Sequence, residues 1–244
     1  MLSKRFKTKF DATSIDEFVG EFKQTMPGYP CPSTTTVYRY IDRGLLDISN
    51  IDLPMKLKRR RNKRHHSHGG HALHKNNLGN SIEQRPKEVE DRATPLHWEG
   101  DLVKGVRRKN QPALMTLTER TTRFEIVIKI PDYRASTCQR LLQKEIDQHP
   151  DWFKTITFDN GSEFADMTKI KNCQIYFAHP YSPWERGTNE NCNGLLRQFF
   201  PKGKSMKDKT AAYVQQATNA INHKHRRILQ YHTAEELFKQ YISS

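Results

Sequence analysis

From Met55 to Asn77 the chain reads MKLKRRRNKRHHSHGGHALHKNN, dense in lysine, arginine and histidine and nearly free of large apolar side chains. Such a stretch cannot bury enough surface to offset the entropy of ordering it. Folding must therefore happen on either side. The chain divides into an N-terminal piece, 1–50, a flexible basic linker, 51–92, and a larger body, 93–244. The clustered cations of the linker suit phosphates, an affinity that is salt-sensitive and independent of sequence. His65, His66, His68, His71 and His74 raise the question of zinc, but no cysteine lies nearby and their spacings match no closed tetrahedral site.

The charge bias extends beyond the linker. Lysine and arginine number 41 against 27 aspartates and glutamates, a net charge of +14. A polyanionic partner is expected. Hydrophobic residues make up 35% of the chain, enough for one full core and a small appendage. No run of about 18 apolar residues occurs, so no membrane-spanning helix is expected. MLSKRFKTKFDATS has no apolar stretch behind its positive charges and does not read as a secretory signal. Cys31, Cys138, Cys173 and Cys192 form no C-x-x-C pair, which predicts free thiols in a reducing compartment, the cytoplasm.

The N-terminal piece reads as two short helices. Ser14 is placed to cap the first, whose apolar residues Ile15, Phe18, Val19 and Phe22 follow helical spacing. MPGYPCPS then breaks it. Ser33 caps the second, with Val37, Tyr40 and Ile41 as its apolar stripe and Gly44 at its end. Thr34, Thr35, Thr36, Tyr38 and Arg39 face outward. This is the pattern of half a DNA-reading helix-turn-helix, with Thr35, Tyr38 and Arg39 as candidate DNA contacts. Two amphipathic helices that simply pack together would look the same.

From residue 96 the texture becomes α/β. HWEGDLVKGV, ALMTLTER and TRFEIVIKI are successive strand candidates between polar turns. Residues 135–148 read as a helix. TITFD and QIYFAHP are two further strands with a polar helical stretch between them. A long helix follows residue 183, opened by the capping pattern Ser182-Pro183-Trp184-Glu185, and another covers 207–222. This order predicts a mixed sheet flanked by helices and matches the ribonuclease-H-like fold.

Three carboxylates stand in three unlike motifs of this body: Asp101 in LHWEGDLVKG, Asp159 in TITFDNGSEF and Glu190 in SPWERGTNENCNGLLRQFF. Strand alternation puts Glu99 and Asp101 on one face and Trp98 and Leu102 on the other, in the core. Asp159 ends a strand just before Asn160-Gly161, either at the crevice where α/β proteins place ligands or as a cap in a surface loop. On the late helix, Cys192, Leu195, Leu196 and Phe199 form the buried stripe. Glu190 then points away from it, on a side shared with Gly194 and Arg197.

Two carboxylates about 4 Å apart repel by about 4 kcal/mol at an effective dielectric near 20. Cations between them remove that cost. Mg²⁺ or Mn²⁺ takes a few carboxylates plus water and substrate phosphate. A pair of such ions activates the attacking oxygen and stabilises the leaving one, which is most of what phosphoryl transfer needs.

HWEGD, FDNGSEF and above all SPWERGTNENCNGLLRQFFPKG resemble the DDE transposases of the bacterial insertion-sequence family known as IS-thirty, over roughly residues 30–240. YRYIDRGLLDI is similar to the end of that family's second helix-turn-helix. The resemblance implies a ribonuclease-H-like integrase catalytic core, with Asp101, Asp159 and Glu190 as the catalytic, metal-holding triad. It implies two Mg²⁺ or Mn²⁺ ions, and metal-dependent cleavage and strand transfer at the inverted repeats of a mobile element. DNA, both element ends and target, would be the partner, and at least a homodimer would hold two ends together in a cytoplasmic, nucleoid-associated bacterial protein. Arg186, Arg197, Lys202 and Lys204 flank Glu190 as candidate DNA-backbone contacts.

The pattern departs from the family in places. A further N-terminal helix-turn-helix is expected there, and the chain begins too late to contain it. The interval between Asp159 and Glu190 is shorter than usual. His225 stands where the family has proline and Gln230 where it has glycine. A shortened, inactive copy that binds DNA and inhibits full-length subunits is therefore the second reading, and a nuclease of the same fold the third.

Overall fold

The computed structural model describes residues 13–53, 78–92, 94–106, 111–179, 182 and 187–243. They fall into two units, one built from residues up to Ala72 together with His223–Thr233, the other from Leu73–Asn222 with Ala234–Ser244.

The larger unit is organised by one sheet. Strands β1 (His97–Lys104), β2 (Ala113–Glu119), β3 (Glu125–Ile130), β4 (Thr155–Phe158) and β5 (Gln174–Phe177) lie in the order β3-β2-β1-β4-β5. The first three pair antiparallel as a meander, and β1-β4-β5 run parallel. This is the mixed sheet with flanking helices that the element order predicts. One face carries Trp98, Leu102, Met115, Leu117, Ile156 and Phe158. Against it lie Cys138, Leu142 and Ile146 of helix α4 (Ala135–Gln148) and Phe238 of α7 (Ala234–Ile242). Phe238 stacks on Phe124 at 4.3 Å and meets Trp98 edge-on at 5.7 Å. The opposite face, with Glu99, Asp101, Thr116 and Thr118, is polar. Helices α5 (Gly187–Leu196) and α6 (Ala211–Asn222) complete the unit.

Three element boundaries differ from those the sequence predicts. The basic linker 51–92 contains ordered structure at its end: Leu78, Ile82 and Val89 pack inward, α3 covers Lys87–Asp91, and Ser81 bridges Phe177 at the edge of β5. High charge density hides these few apolar side chains. At the linker's start Leu53 is buried too, and residues 54–77, with the histidines, lie outside the described residues. Between β4 and β5 the polar stretch forms two 3-10 turns, Ser162–Phe164 and Met167–Lys169, and these point Phe164 and Met167, three residues apart, into the core. Helix α6 starts at Ala211 rather than 207, because Thr210 Oγ1 accepts from Tyr213 N at 3.1 Å and caps it.

Buried polar groups also hold the sheet's first pair together. His97 is 2% exposed, with Nδ1 2.9 Å from Thr155 Oγ1 and Nε2 2.9 Å from Thr94 Oγ1. Burial, reinforced by nearby Lys154, Arg120 and Arg85 against the pull of Glu88, pushes its pKa down to about 4. The unfolded chain, titrating near 6.5, takes up a proton that the native one refuses. Stability is therefore full above pH 6.5 and lost as pH falls toward 4, by up to about 1.4 kcal/mol per pH unit. Urea unfolding at stepped pH is expected to show this loss, and a His97→Gln chain is expected to lack it.

The smaller unit holds α1 (Ile15–Thr25) and α2 (Thr34–Asp42), packed through Ile15, Val19, Val37, Ile41, Ile48 and Leu53. Ser14 and Glu17 form a reciprocal capping box at 3.1 Å each way, and Ser33 caps α2. Glu17 is buried and does more: its carboxylate accepts from His225 N at 3.1 Å and lies 3.7 Å from Lys224 Nζ. Gly20 leaves room for the Tyr231 ring, whose nearest carbon would be 1.9 Å from a Cβ there. Through these contacts His223–Thr233, grouped by sequence with the large body, joins the small unit.

The backbone at Gln230 accounts for the glycine that the family resemblance leads one to expect there. Its φ is +53°, the left-handed region. A side chain costs about 1–2 kcal/mol there, whereas glycine costs about 0.5–1 kcal/mol of extra unfolded-state entropy. Gln230→Gly is therefore expected to stabilise the chain by about 0.5 kcal/mol, read as a rise in Tm.

Candidate active site

Helix α5 is pinned to β1 at two points on the polar face. Glu99, 1% exposed, accepts the backbone N–H of Asn189 at 3.1 Å and pairs with Arg120 Nη1 at 2.8 Å. Asn189 lies in the first turn of α5, where N–H groups lack intrahelical acceptors and favour a carboxylate. One turn on, Asn193 Nδ2 donates to Asp101 Oδ2 at 2.7 Å while its Oδ1 accepts from Thr116 Oγ1 at 3.2 Å. The Asp101 carboxylate, which can only accept, fixes which end of the amide it meets, and the Thr116 hydroxyl donates to the other. Strand alternation correctly puts Glu99 on the Asp101 face, but Glu99 is covered by the helix rather than open to a cleft.

The remaining helix contacts carry the same logic. Cys192, Leu196 and Phe199 are buried, as the helical stripe predicts, and Glu190 is exposed on the far side. The Thr188 hydroxyl accepts from Arg123 Nη1 at 2.6 Å and Arg92 Nη2 at 3.3 Å. Burial holds both Arg120 and Arg123 below the usual guanidinium range, Arg120 at about 10 with Glu99 opposing the shift; both remain charged at neutral pH.

Strand register relates Asp101, in β1, to Asp159, just past the end of β4. Glu99 pairs with Thr157 in the parallel β1–β4 ladder, and each aspartate stands two residues beyond that pair. Both therefore fall on the same face at the same level, on strands about 4.8 Å apart. Asp101 Oδ1 accepts from Leu102 N at 2.8 Å and Asp159 Oδ1 from Gly161 N at 2.9 Å. A Cβ on Gly161 would stand 2.9 Å from Asp159 Oδ1 and 3.0 Å from Glu163 Oε2, so a side chain there would push these carboxylate ends aside. Asn160 locks the loop, accepting from Leu78 N at 3.0 Å and donating to Ala178 O at 2.5 Å.

The other residues singled out by sequence are placed as follows. Arg197 Nη1 donates to Lys104 O at 2.8 Å and Phe200 O at 3.4 Å, tying the end of α5 to the end of β1. Lys202 and Lys204 are exposed on a turn whose Gly203 N donates to Gly105 O at 3.1 Å, just past β1. Arg186 lies outside the described residues, as does most of the Ser182–Glu185 cap. In the smaller unit Thr35 and Arg39 are exposed on α2, and Tyr38 packs partly against the apolar cluster.

The two aspartates offer a set of oxygen donors that fits a hard divalent ion, which binds through one or two carboxylates plus substrate phosphate. Among the described residues, no three His, Cys, Asp or Glu side chains converge into a metal-holding group. Sequence reasoning missed Asn193 and Asn160, the two amides that fix the aspartate loops. The signal was their place in the motifs, three residues after Glu190 and one after Asp159.

Residues 91–183 match the family model described as integrase core domain. The chain is 40% identical over 228 residues to a probable transposase for insertion-like sequence element IS1161 of Streptococcus salivarius, covering 93% of this chain and 64% of that protein. It is 30% identical to transposase InsI for insertion sequence element IS30A of Escherichia coli strain K12, over 86% of this chain and 56% of that one. The transposase for insertion sequence element IS4351 of Bacteroides fragilis is 30% identical over 94% of this chain and 70% of its own length. The chain thus spans between about half and just over two-thirds of the curated relatives it matches. With a five-stranded mixed sheet, an integrase-core match and relatives of this kind, the chain belongs to the IS-thirty family of insertion-sequence transposases.

Proposed function

We propose that the chain cleaves and joins DNA strands at the ends of an insertion sequence, with Asp101 and Asp159 as catalytic carboxylates and Glu190 as the third. One observation supports this reading: Glu99 and Thr157 pair in the parallel β1–β4 ladder, and each aspartate follows its member of that pair by two residues. Those carboxylates, with Glu190, would hold Mg²⁺ or Mn²⁺, which supplies charge stabilisation at the reacting phosphate when bound. Asn193 orients Asp101, Gly161 N orients Asp159, and Glu99 fixes the start of the helix that carries Glu190. The exposed Lys202 and Lys204 beyond β1 are suited to the DNA backbone, and Thr35 and Arg39 on α2 to reading it. Two ends brought together call for at least a dimer.

The test is nicking of duplex DNA carrying the element's inverted repeat, with and without Mg²⁺ or Mn²⁺. Metal-dependent 3′-hydroxyl ends at the repeat boundary are expected. A chain that binds this DNA but never cuts it would support the alternative, an inhibitory DNA-binding copy. The observation favouring that alternative is that Glu190 does not join the aspartates in a three-carboxylate group among the described residues.

A further inference from the structure

We infer that a cavity walled by Arg85 and Arg120 seats a backbone phosphate of the bound DNA strand, a neighbour of the phosphate that reacts. The inference rests on the strand-cutting reading above and extends it. The cavity has a volume of about 320 Å³ and is lined by Ile82, Glu83, Arg85, Glu90, Arg120 and His179. Arg85 and Arg120 are each more than nine-tenths buried.

Each arginine grips a strand residue two positions before an aspartate. Arg120 holds Glu99, two before Asp101, and Arg85 Nη1 donates to Thr157 Oγ1 at 3.3 Å, two before Asp159. The two guanidiniums are thereby fixed on the aspartate face, about 7 Å back along the strands. That spacing is of the order of one nucleotide step.

The chemistry of the lining selects the ligand. Arg120 Nε is buried with no hydrogen-bond partner among the described residues. A buried donor of this kind calls for an acceptor, and a guanidinium edge matches phosphate oxygens in geometry and charge. Among the lining residues there is no Phe, Tyr or Trp, and the one ring, His179, is engaged with Glu83, so the cavity suits a phosphate better than a stacked base. The rim carboxylates are exposed: Glu90 lies 3.5 Å from Arg85 and Glu83 lies 3.4 Å from His179. With their carboxylates in solvent, these two pairs are screened and yield to an entering anion. As negative charges at the mouth, they also oppose its entry.

The experiment measures binding of element-end DNA by the full chain in EDTA, so that no cleavage takes place. Arg85→Gln is expected to weaken binding about tenfold and to lower the salt slope by about one. Glu90→Gln, an exposed change that leaves the fold intact, is expected to tighten binding about threefold. In a scan of single methylphosphonate linkages, one linkage should weaken the native complex yet leave the Arg85→Gln complex unchanged.

Equal binding by native and Glu90→Gln chains, or the same methylphosphonate profile for native and Arg85→Gln, overturns the phosphate seat while sparing the strand-cutting reading. Saturable orthophosphate binding by calorimetry, lost in Arg85→Gln while DNA affinity stays fixed, would assign the cavity to free phosphate and overturn the DNA assignment. A native chain that binds no DNA at all would overturn both.

Discussion

An Asp159→Asn chain is expected to bind element-end DNA like the native chain and to cleave it roughly 10³-fold more slowly, the rate equivalent of about 4 kcal/mol of lost transition-state stabilisation. Asparagine has nearly the same shape, and its oxygen can still accept from Gly161 N, which donates to the aspartate at 2.9 Å. The loop therefore survives, and only the charge that would hold a cation is lost. Asp101→Asn should behave alike, although there the Asn193 amide loses a charged acceptor at 2.7 Å. Gel assays of nicked product under single-turnover conditions read the rate, and filter binding reads the affinity. Cleavage by Asp159→Asn within about threefold of the native rate would remove the aspartates from the reaction.

The second large effect is on stability. Glu99→Gln is expected to cost about 3 kcal/mol, because it leaves Arg120 buried without its counter-charge. Glu99 is 1% exposed and is bound both by Arg120 and by the first turn of α5. Cleavage should fall as well, since the helix start beside Glu190 loses its anchor. A Glu99→Gln/Arg120→Met chain should recover much of the stability, because removing both charges relieves the unpaired one. Its Asn189 amide should still exchange with solvent faster than in the native chain. Urea unfolding and hydrogen exchange measure these effects, and a Glu99→Gln chain as stable as the native one would show that the ion pair contributes nothing.

The strands and α4 were legible because their signals are local. Trp98, Leu102, Ile156 and Phe158 repeat with strand period, and Cys138, Leu142 and Ile146 with helix period. Both caps of the small unit, Ser14 and Ser33, were legible for the same reason. The candidate site was legible as three motifs, but not as a geometry. What relates Asp101 to Asp159 is a parallel pairing between strands far apart in the chain, and no local pattern encodes register. Glu99 shows the limit most plainly. Alternation gave its face, but only the return of α5, some ninety residues later, decides that it is buried and paired. Likewise, nothing near Gln230 in sequence reveals that Glu17 and Gly20 receive its neighbours, His225 and Tyr231.

That last arrangement bears on how the protein is made. Ribosomes deliver the N-terminus first, at about 5–20 residues per second. Ser14, Glu17 and Gly20 emerge early, but their partners Lys224, His225 and Tyr231 follow only on the order of ten seconds or more later. The smaller unit cannot be completed until residues 224–231 have been made. A nascent or prematurely terminated chain thus carries an unfinished small unit, a built-in delay between the birth of the polypeptide and its full competence.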